Sequence, residues 1–117
     1  MDKEIQDKIG QIQLIQQNLH NFSSQRQQFQ IQQTEVETAL GEIEKTSKTY
    51  KIIGNIMVAM EKSDIKKELE EKKQMLTIRI NSVEKQEAAM RERAETIQKE
   101  VMSKLETKQE PKSKKRQ

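Results

Sequence analysis

The sequence predicts a mainly α protein in which two long helices form an antiparallel coiled coil and a single β-hairpin joins them. Three observations predict this fold class. Only 32% of the 117 residues are apolar and 35% are charged, a composition too polar for a sizeable compact core. Apolar residues recur every seven residues in both halves of the chain, as they do in coiled coils. A short β-rich segment around Gly54 separates the two halves.

The first half of the chain carries an unbroken heptad pattern, which predicts a helix over about residues 3–48. With Ile5 at position a, ten of the fourteen a and d sites are apolar. Such a run favours a coiled-coil helix over a disordered segment. Thr46, Ser47 and Thr49 are weak helix formers, so we place the end of the helix near residue 48.

The segment that follows predicts a two-stranded hairpin over about residues 50–60. Two β-rich stretches flank Gly54-Asn55, a pair that suits the type II′ turn of a two-residue hairpin. In that register Ile53 faces Ile56 and Ile52 faces Met57, which leaves both faces of the hairpin apolar. The residues that we expect to serve subunit assembly are Tyr50, Ile52, Ile53, Gly54, Asn55, Ile56, Met57 and Val58.

The second half carries another heptad run, which predicts a helix over about residues 64–105 with Ser63-Asp64 at its start. Eight of its twelve a and d sites are apolar. Residues 106–117 contain no apolar side chain and are predicted to form a disordered basic tail. Residues 1–105 are therefore expected to form a single coiled-coil domain.

Charged pairs decorate both predicted helices. Six glutamates have a lysine or arginine four residues later, and each pair is expected to stabilise its helix by about 0.2–0.5 kcal/mol. The six pairs are Glu4–Lys8, Glu44–Lys48, Glu68–Lys72, Glu87–Arg91, Glu95–Lys99 and Glu100–Lys104.

Composition and motifs argue against catalysis. The chain has no cysteine and one histidine, His20, so we expect no thiolate chemistry, no metal site and no cofactor. Its three glycines are isolated and form no phosphate-binding loop. The carboxylates lie on solvated helix faces. We therefore expect a protein that is not an enzyme. We also expect a cytoplasmic location and no membrane partner, because there is no secretory signal or apolar stretch of spanning length.

The hairpin predicts an obligate oligomer. A two-stranded hairpin is marginal alone in water, and a two-helix rod cannot cover its apolar side chains, so we infer that hairpins from several chains join into a shared sheet or barrel. The alternative is a helical loop buried within the chain's own coiled coil.

The tip of the predicted coiled coil, where both termini meet, is also rich in apolar residues. A few contacts per tip would bind an exposed hydrophobic segment weakly, and several tips would strengthen binding by avidity. These residues are candidates for binding unfolded clients, with simple seam packing as the alternative. They are Ile5, Ile9, Ile12, Leu14, Ile15, Val101, Met102 and Leu105.

Two segments resemble the prefoldin family, in its archaeal-type β class. Tyr50-Lys-Ile-Ile-Gly-Asn-Ile-Met-Val58 lies between two heptad arms as the family's hairpin signature does, and Leu76-Thr-Ile-Arg-Ile-Asn-Ser-Val-Glu-Lys-Gln-Glu87 is similar to its second helix. The resemblance implies a hexamer of two α and four β subunits with an intersubunit β-barrel base and six tentacles. It also implies ATP-independent binding of non-native proteins and their delivery to a group II chaperonin.

Two other functions compete with a chaperone. A structural coiled-coil adaptor would bind one folded partner at its tips and ignore unfolded chains. A nucleic-acid binder would use the basic run from Lys112 to Arg116 and would show steep salt dependence. No aromatic platform accompanies that run, so we do not expect nucleic acid among the partners.

Overall fold

A computed structural model of the chain describes the backbone of residues 2–116 and the side chains of residues 2–106. Helix α1 (Lys3–Ile43) is followed by strands β1 (Thr49–Ile53) and β2 (Ile56–Met60), and then by helix α2 (Lys62–Arg116). The two strands pair in an antiparallel two-stranded sheet. The predicted order of helix, hairpin and helix is confirmed.

The link between α1 and β1 shows why the first helix is shorter than the sequence predicts. Helix α1 ends at Ile43 rather than near residue 48. Beyond it, the Lys45 and Thr46 amides donate to carbonyls three residues earlier, at 3.0 and 3.2 Å. The Thr46 hydroxyl then donates to the Lys48 carbonyl at 3.1 Å. This local side-chain bond gives the backbone an alternative to continuing the helix.

The second helix begins earlier than the sequence predicts. It starts at Lys62, and the amides of Asp64 and Ile65 both donate to the Glu61 carbonyl at 3.1 Å. Glu61, rather than Ser63, therefore precedes the first turn. The helix extends to Arg116, past residue 105, where the heptad pattern ends. The tail predicted to be disordered, residues 106–117, lies outside the described side chains except for Glu106.

Contacts divide the chain into two compact units. The hairpin unit comprises Gln25–Val83, and the terminal unit comprises Met1–Ser24 together with Glu84–Gln117. Every buried apolar residue among the described side chains occupies a predicted a or d site, so the heptad assignment holds in both units. In the hairpin unit they are Val36, Ile43, Leu76, Ile80 and Val83, and in the terminal unit Ile5, Ile15, Ile97 and Val101.

Polar contacts show that α1 and α2 run antiparallel within each unit. In the hairpin unit the Gln33 amide donates to the Thr77 hydroxyl at 2.8 Å, and Glu37 and Glu44 pair with Lys73 and Lys66. In the terminal unit Glu4 and Lys8 pair with Lys104 and Glu100. Within each unit, residues with higher numbers in the first half of the chain pair with residues of lower numbers on α2.

These ion pairs correct part of the sequence analysis. The Glu87–Arg91 pair forms within α2 at 3.3 Å, as its spacing predicts. Glu4 and Glu100 instead pair with lysines on the opposite helix. Glu44, one residue past the end of α1, pairs with Lys66 on α2, and Glu68 pairs with Lys51 on β1. A lysine that occupies a seam site lies close to the facing helix, so a cross-helix glutamate is within its reach.

Within the described residues, no helix is long and apolar enough to cross a membrane.

Candidate functional site

The hairpin has the turn and register that the sequence predicts. Ile53 pairs with Ile56, and Ile52 pairs with Met57. Gly54 has a φ of 61°, whereas Asn55 does not have a positive φ. Of the two common two-residue hairpin turns, type I′ needs positive φ at both central residues and type II′ only at the first. The turn is therefore type II′, and Gly54 supplies the left-handed conformation.

Both faces of the hairpin expose large apolar side chains to solvent. On one face Ile52 and Met57 are 69% and 66% exposed, and on the other Ile56 is 66% exposed. Tyr50, Ile53 and Val58 are exposed as well. The segment is not a helical loop buried in the chain's own coiled coil, so that alternative is wrong. Fully burying one such side chain stabilises a protein by about 1.5–3 kcal/mol. A contiguous patch of this kind marks a contact surface.

Among residues 2–106, the side chains of two strand residues, Thr49 and Lys51, form hydrogen bonds. The Thr49 hydroxyl donates to the Met60 carbonyl at 2.6 Å, which closes the open end of the hairpin. The Lys51 ammonium donates to both carboxylate oxygens of Glu68 on α2, at 2.9 and 3.1 Å. An open groove with a cavity volume of about 680 Å³ is lined by residues of β1 and of both helices. Ala39, Ile43, Ile65 and Leu69 are among the helix residues that line it.

In the terminal unit most of the candidate apolar residues are packed rather than exposed. Of the eight that the sequence proposes as client-binding residues, Ile5, Ile15 and Val101 are buried in a cluster, and Ile9 and Ile12 pack against it. The other three are exposed: Leu14 at 59%, Met102 at 54% and Leu105 at 37%. The structure thus separates a packed seam from three accessible side chains.

Electrostatic contacts stabilise the charged side chains of both units. A hydrogen bond from Lys8 holds the pKa of Glu100 below its ordinary value, and the same bond raises the pKa of Lys8. In the hairpin unit a hydrogen bond from Lys66 lowers the pKa of Glu44, and that bond likewise raises the pKa of Lys66. All four side chains remain at least partly accessible to solvent.

Two features of these units escaped the sequence analysis. The sequence paired Glu68 with Lys72, whereas the structure pairs it with Lys51 of the hairpin. The sequence analysis placed Glu87 on a solvated helix face, paired with Arg91, yet its side chain is 2% exposed. A glutamate at an a site flanked by apolar d sites was the available signal for that burial. Within residues 2–106, no group of three or more histidines and carboxylates could hold a metal ion.

Comparison with known proteins adds an independent line of information. The sequence model of a family described as prefoldin subunit matches residues 6–108. Prefoldin subunit beta of Archaeoglobus fulgidus is 41% identical over 100 residues, which cover 82% of this chain and 86% of that protein. Prefoldin subunit beta of Thermococcus onnurineus is 34% identical and is covered to 90%, with 87% of this chain aligned.

A solved structure is similar over nearly the whole chain. The crystal structure of the prefoldin beta subunit from Thermococcus strain KS-1 superposes with a TM-score of 0.84 at 32% sequence identity. The superposition covers 89% of this chain and 94% of the other.

Proposed function

This chain belongs to the prefoldin family of chaperone subunits, and we propose that it captures unfolded proteins without ATP and passes them to a group II chaperonin. Its proposed partners are α-class prefoldin subunits and further copies of the β class, in a hexamer of two α and four β subunits. The proposed activity contains no catalytic step, uses no cofactor and takes place in the cytoplasm.

The observation that carries the proposal is the hairpin, whose two faces both expose apolar side chains. Its two faces hold six large apolar side chains that the chain itself leaves in solvent. Its outer strand edges also carry backbone groups available for pairing with another strand. Hairpins from neighbouring subunits can pair their strand edges with one another. The apolar faces of the joined hairpins can then pack together and be shielded from water. An intersubunit β-barrel is the closed form of such an arrangement, since a barrel has no free edges.

Client capture is proposed for the terminal unit. Among its described residues, the exposed large apolar side chains are Leu14, Met102 and Leu105. A contact with only two or three such side chains is weak, in the range of about millimolar to micromolar. Several terminal units on one hexamer engage the same unfolded chain, so avidity raises the affinity. Weak, multivalent contacts that read no sequence suit a chaperone that must later release its client.

The proposal is tested with the complex assembled from this chain and an α-class subunit. A chemically denatured client is diluted into buffer without nucleotide, and its aggregation is followed by light scattering. We expect the complex to suppress aggregation and ATP to make no difference. A client that aggregates equally fast with and without the complex would reject the proposal.

Paired variants locate the capture site. Replacing Leu14 and Met102 with serine should raise the complex concentration needed for half-suppression about tenfold, which corresponds to about 1.4 kcal/mol. The matched control replaces Ile31 and Ile78 with serine, because both are exposed, at 60% and 68%, but lie in the hairpin unit. A second unfolded client should displace the first. Binding of one folded partner, with no displacement by unfolded chains, would indicate an adaptor instead.

Handover is tested separately. The client-loaded complex is mixed with a group II chaperonin, and the transfer of a labelled client is followed by size separation. Label that moves to the chaperonin supports delivery. Label that stays with the hexamer contradicts delivery while leaving capture intact.

A further inference from the structure

Within the terminal unit, α1 contains a long stretch without charged side chains. From Ile9 to Ser24, sixteen residues in a row include no aspartate, glutamate, lysine or arginine, and His20 is counted as neutral at pH 7. Charged residues make up 35% of the whole chain, so a helical stretch of this length would ordinarily hold several. Its exposed polar side chains are mostly amides, namely Gln11, Gln13, Gln16, Gln17 and Asn21.

The stretch of α2 in the same unit has the opposite composition. Eleven of the 23 residues from Glu84 to Glu106 are charged. Met102 on this stretch is an exposed apolar side chain, but the groove beside it is also lined by Glu95 and Lys99. An apolar residue of α2 therefore lies among charges, whereas α1 offers a neutral surface.

The exposed large apolar residue on the uncharged stretch is Leu14, at 59%. Residues three or four apart share one face of a helix, so Gly10, Gln11 and Gln17 are its neighbours there. Gly10 has no side chain. Apart from the chain neighbours and the nearby backbone of the helix itself, a Cβ added at Gly10 would meet no atom within 4 Å. Leu14 thus lies beside open helix surface and two neutral amides.

The absence of charge decides which partner can cover this surface at low cost. Covering a charged side chain with an apolar partner removes its water and costs far more than covering a neutral amide, unless the partner supplies a matching charge. A folded partner can supply charges at fixed positions, but unfolded clients of varied sequence cannot. A neutral face accepts an apolar segment without that requirement, and its amides offer donors and acceptors to the peptide groups of the segment.

We propose that the uncharged face of α1, formed by the exposed side chains of residues 9–24 around Leu14, is the surface on which a client chain lies, and that it selects uncharged apolar segments of unfolded polypeptides. The inference rests on the proposed function, namely that the terminal unit captures unfolded chains. It adds which of the two helices binds them and which chemistry is accepted. Met102 and Leu105 on α2 then contribute less to capture than Leu14.

Isosteric substitutions test the need for neutrality. In the complex with an α-class subunit, Gln11→Glu with Gln17→Glu places a charge on each side of Leu14 and hardly changes side-chain shape. The probe is a labelled synthetic peptide of leucine, glycine and serine with blocked ends, because it is unfolded and uncharged. Its binding is followed by fluorescence anisotropy. We expect the dissociation constant to rise at least about fivefold, from the cost of desolvating unpaired charge.

The opposite charge should have the same effect. Gln11→Lys with Gln17→Lys should also weaken binding, because a charge of either sign must be desolvated. Glutamate and lysine both form helices well, so the helical circular dichroism of the two α1 variants should match that of the wild type.

The matched control is Gln86→Glu with Gln98→Glu. Both glutamines are exposed in the same unit but lie on the charged stretch of α2, so binding should stay within about twofold of wild type. Wild-type binding by the α1 variants would overturn the inference, as would an equal loss in the control. A wild-type complex that suppresses aggregation of a denatured client but does not bind the peptide would overturn it too and leave the proposed function standing. A complex that does neither would overturn the proposed function itself.

Discussion

The hairpin unit and the terminal unit handle apolar side chains in opposite ways. In the terminal unit Ile5 and Ile15 of α1 and Val101 of α2 are buried in one cluster, because the heptad repeat places the apolar residues of each helix on the face toward the other helix. In the hairpin, side chains alternate between two faces with a period of two, and both faces are apolar and exposed. One chain can close a single seam but cannot cover both faces of its own hairpin. The difference teaches that the helices bury their apolar seam within one chain, whereas the apolar faces of the hairpin stay exposed.

The largest effect is expected from a variant that makes one face of the hairpin polar. Replacing Ile53 and Ile56 with serine removes two exposed apolar side chains of one face, so assembly should be lost while the helical circular dichroism signal stays within about a tenth of wild type. Sedimentation velocity measures the mass. The control replaces Ile31 and Ile78, which are exposed at 60% and 68% on the helices, and it should assemble normally. A hairpin variant that keeps its full assembled mass would contradict the assembly role.

Burial inside the terminal unit predicts the next largest effect. Ile5 is 1% exposed, so Ile5→Ala should lower the free energy of unfolding of the terminal unit by about 2–5 kcal/mol, from lost apolar burial and the resulting cavity. Leu14→Ala, at an exposed site in the same helix, should change it by no more than about 0.5 kcal/mol. Hydrogen exchange read separately in the two units makes the measurement. Equal losses for both variants would mean that the cluster around Ile5 is not a packed core.

The sequence predicts the seams and the hairpin well because both have a regular period. The heptad frame anticipates each buried apolar residue from Ile5 to Val101, and the Gly54-Asn55 pair predicts the turn and the register. Helix ends were harder. The early end of α1 at Ile43 depends on the hydrogen bond between the Thr46 hydroxyl and Lys48, which periodicity does not register.

The candidate sites were less predictable than the fold. Sequence spacing pairs Glu68 with Lys72 within one helix. In the structure the Glu68 carboxylate on α2 pairs with Lys51 on β1, and these two residues come together only when the hairpin is folded. Which apolar tip residues stay exposed likewise depends on helix packing. Ile9 and Leu14 both lie off the a and d sites, yet Ile9 packs against the core cluster and Leu14 is 59% exposed.

Two glycines allow a smaller and more symmetrical test of the two units. Gly10 lies in the terminal unit and Gly41 in the hairpin unit, both inside α1. Apart from the chain neighbours and the nearby backbone of the helix itself, a Cβ added at either would meet no atom within 4 Å. Alanine at each site should raise the stability of its own unit by about 0.5–1 kcal/mol, because alanine loses less conformational freedom in a helix. Hydrogen exchange should show added protection in the altered unit. Protection that rises equally in both units would show that they open together.

Acid should weaken both units slightly through their cross-helix pairs. Glu44 and Glu100 have pKa values held below the ordinary 4.5, so their pairs stabilise the folded chain above that pH and are lost as pH falls through the lowered values. Melting temperatures measured between about pH 6 and about pH 3 should fall less in Glu44→Gln and Glu100→Gln than in the wild type. An unchanged pH slope in both variants would mean that these pairs contribute nothing.

The central claim is that the apolar hairpin is covered by other subunits, and mass measured together with hairpin protection tests it most directly. Light scattering with hydrogen exchange of residues 50–60 is recorded for the chain alone and mixed with an α-class subunit. The account predicts a discrete oligomer in the mixture, with hairpin amides that become protected as it forms. A chain that remains monomeric at high concentration, with those amides already protected, would contradict it.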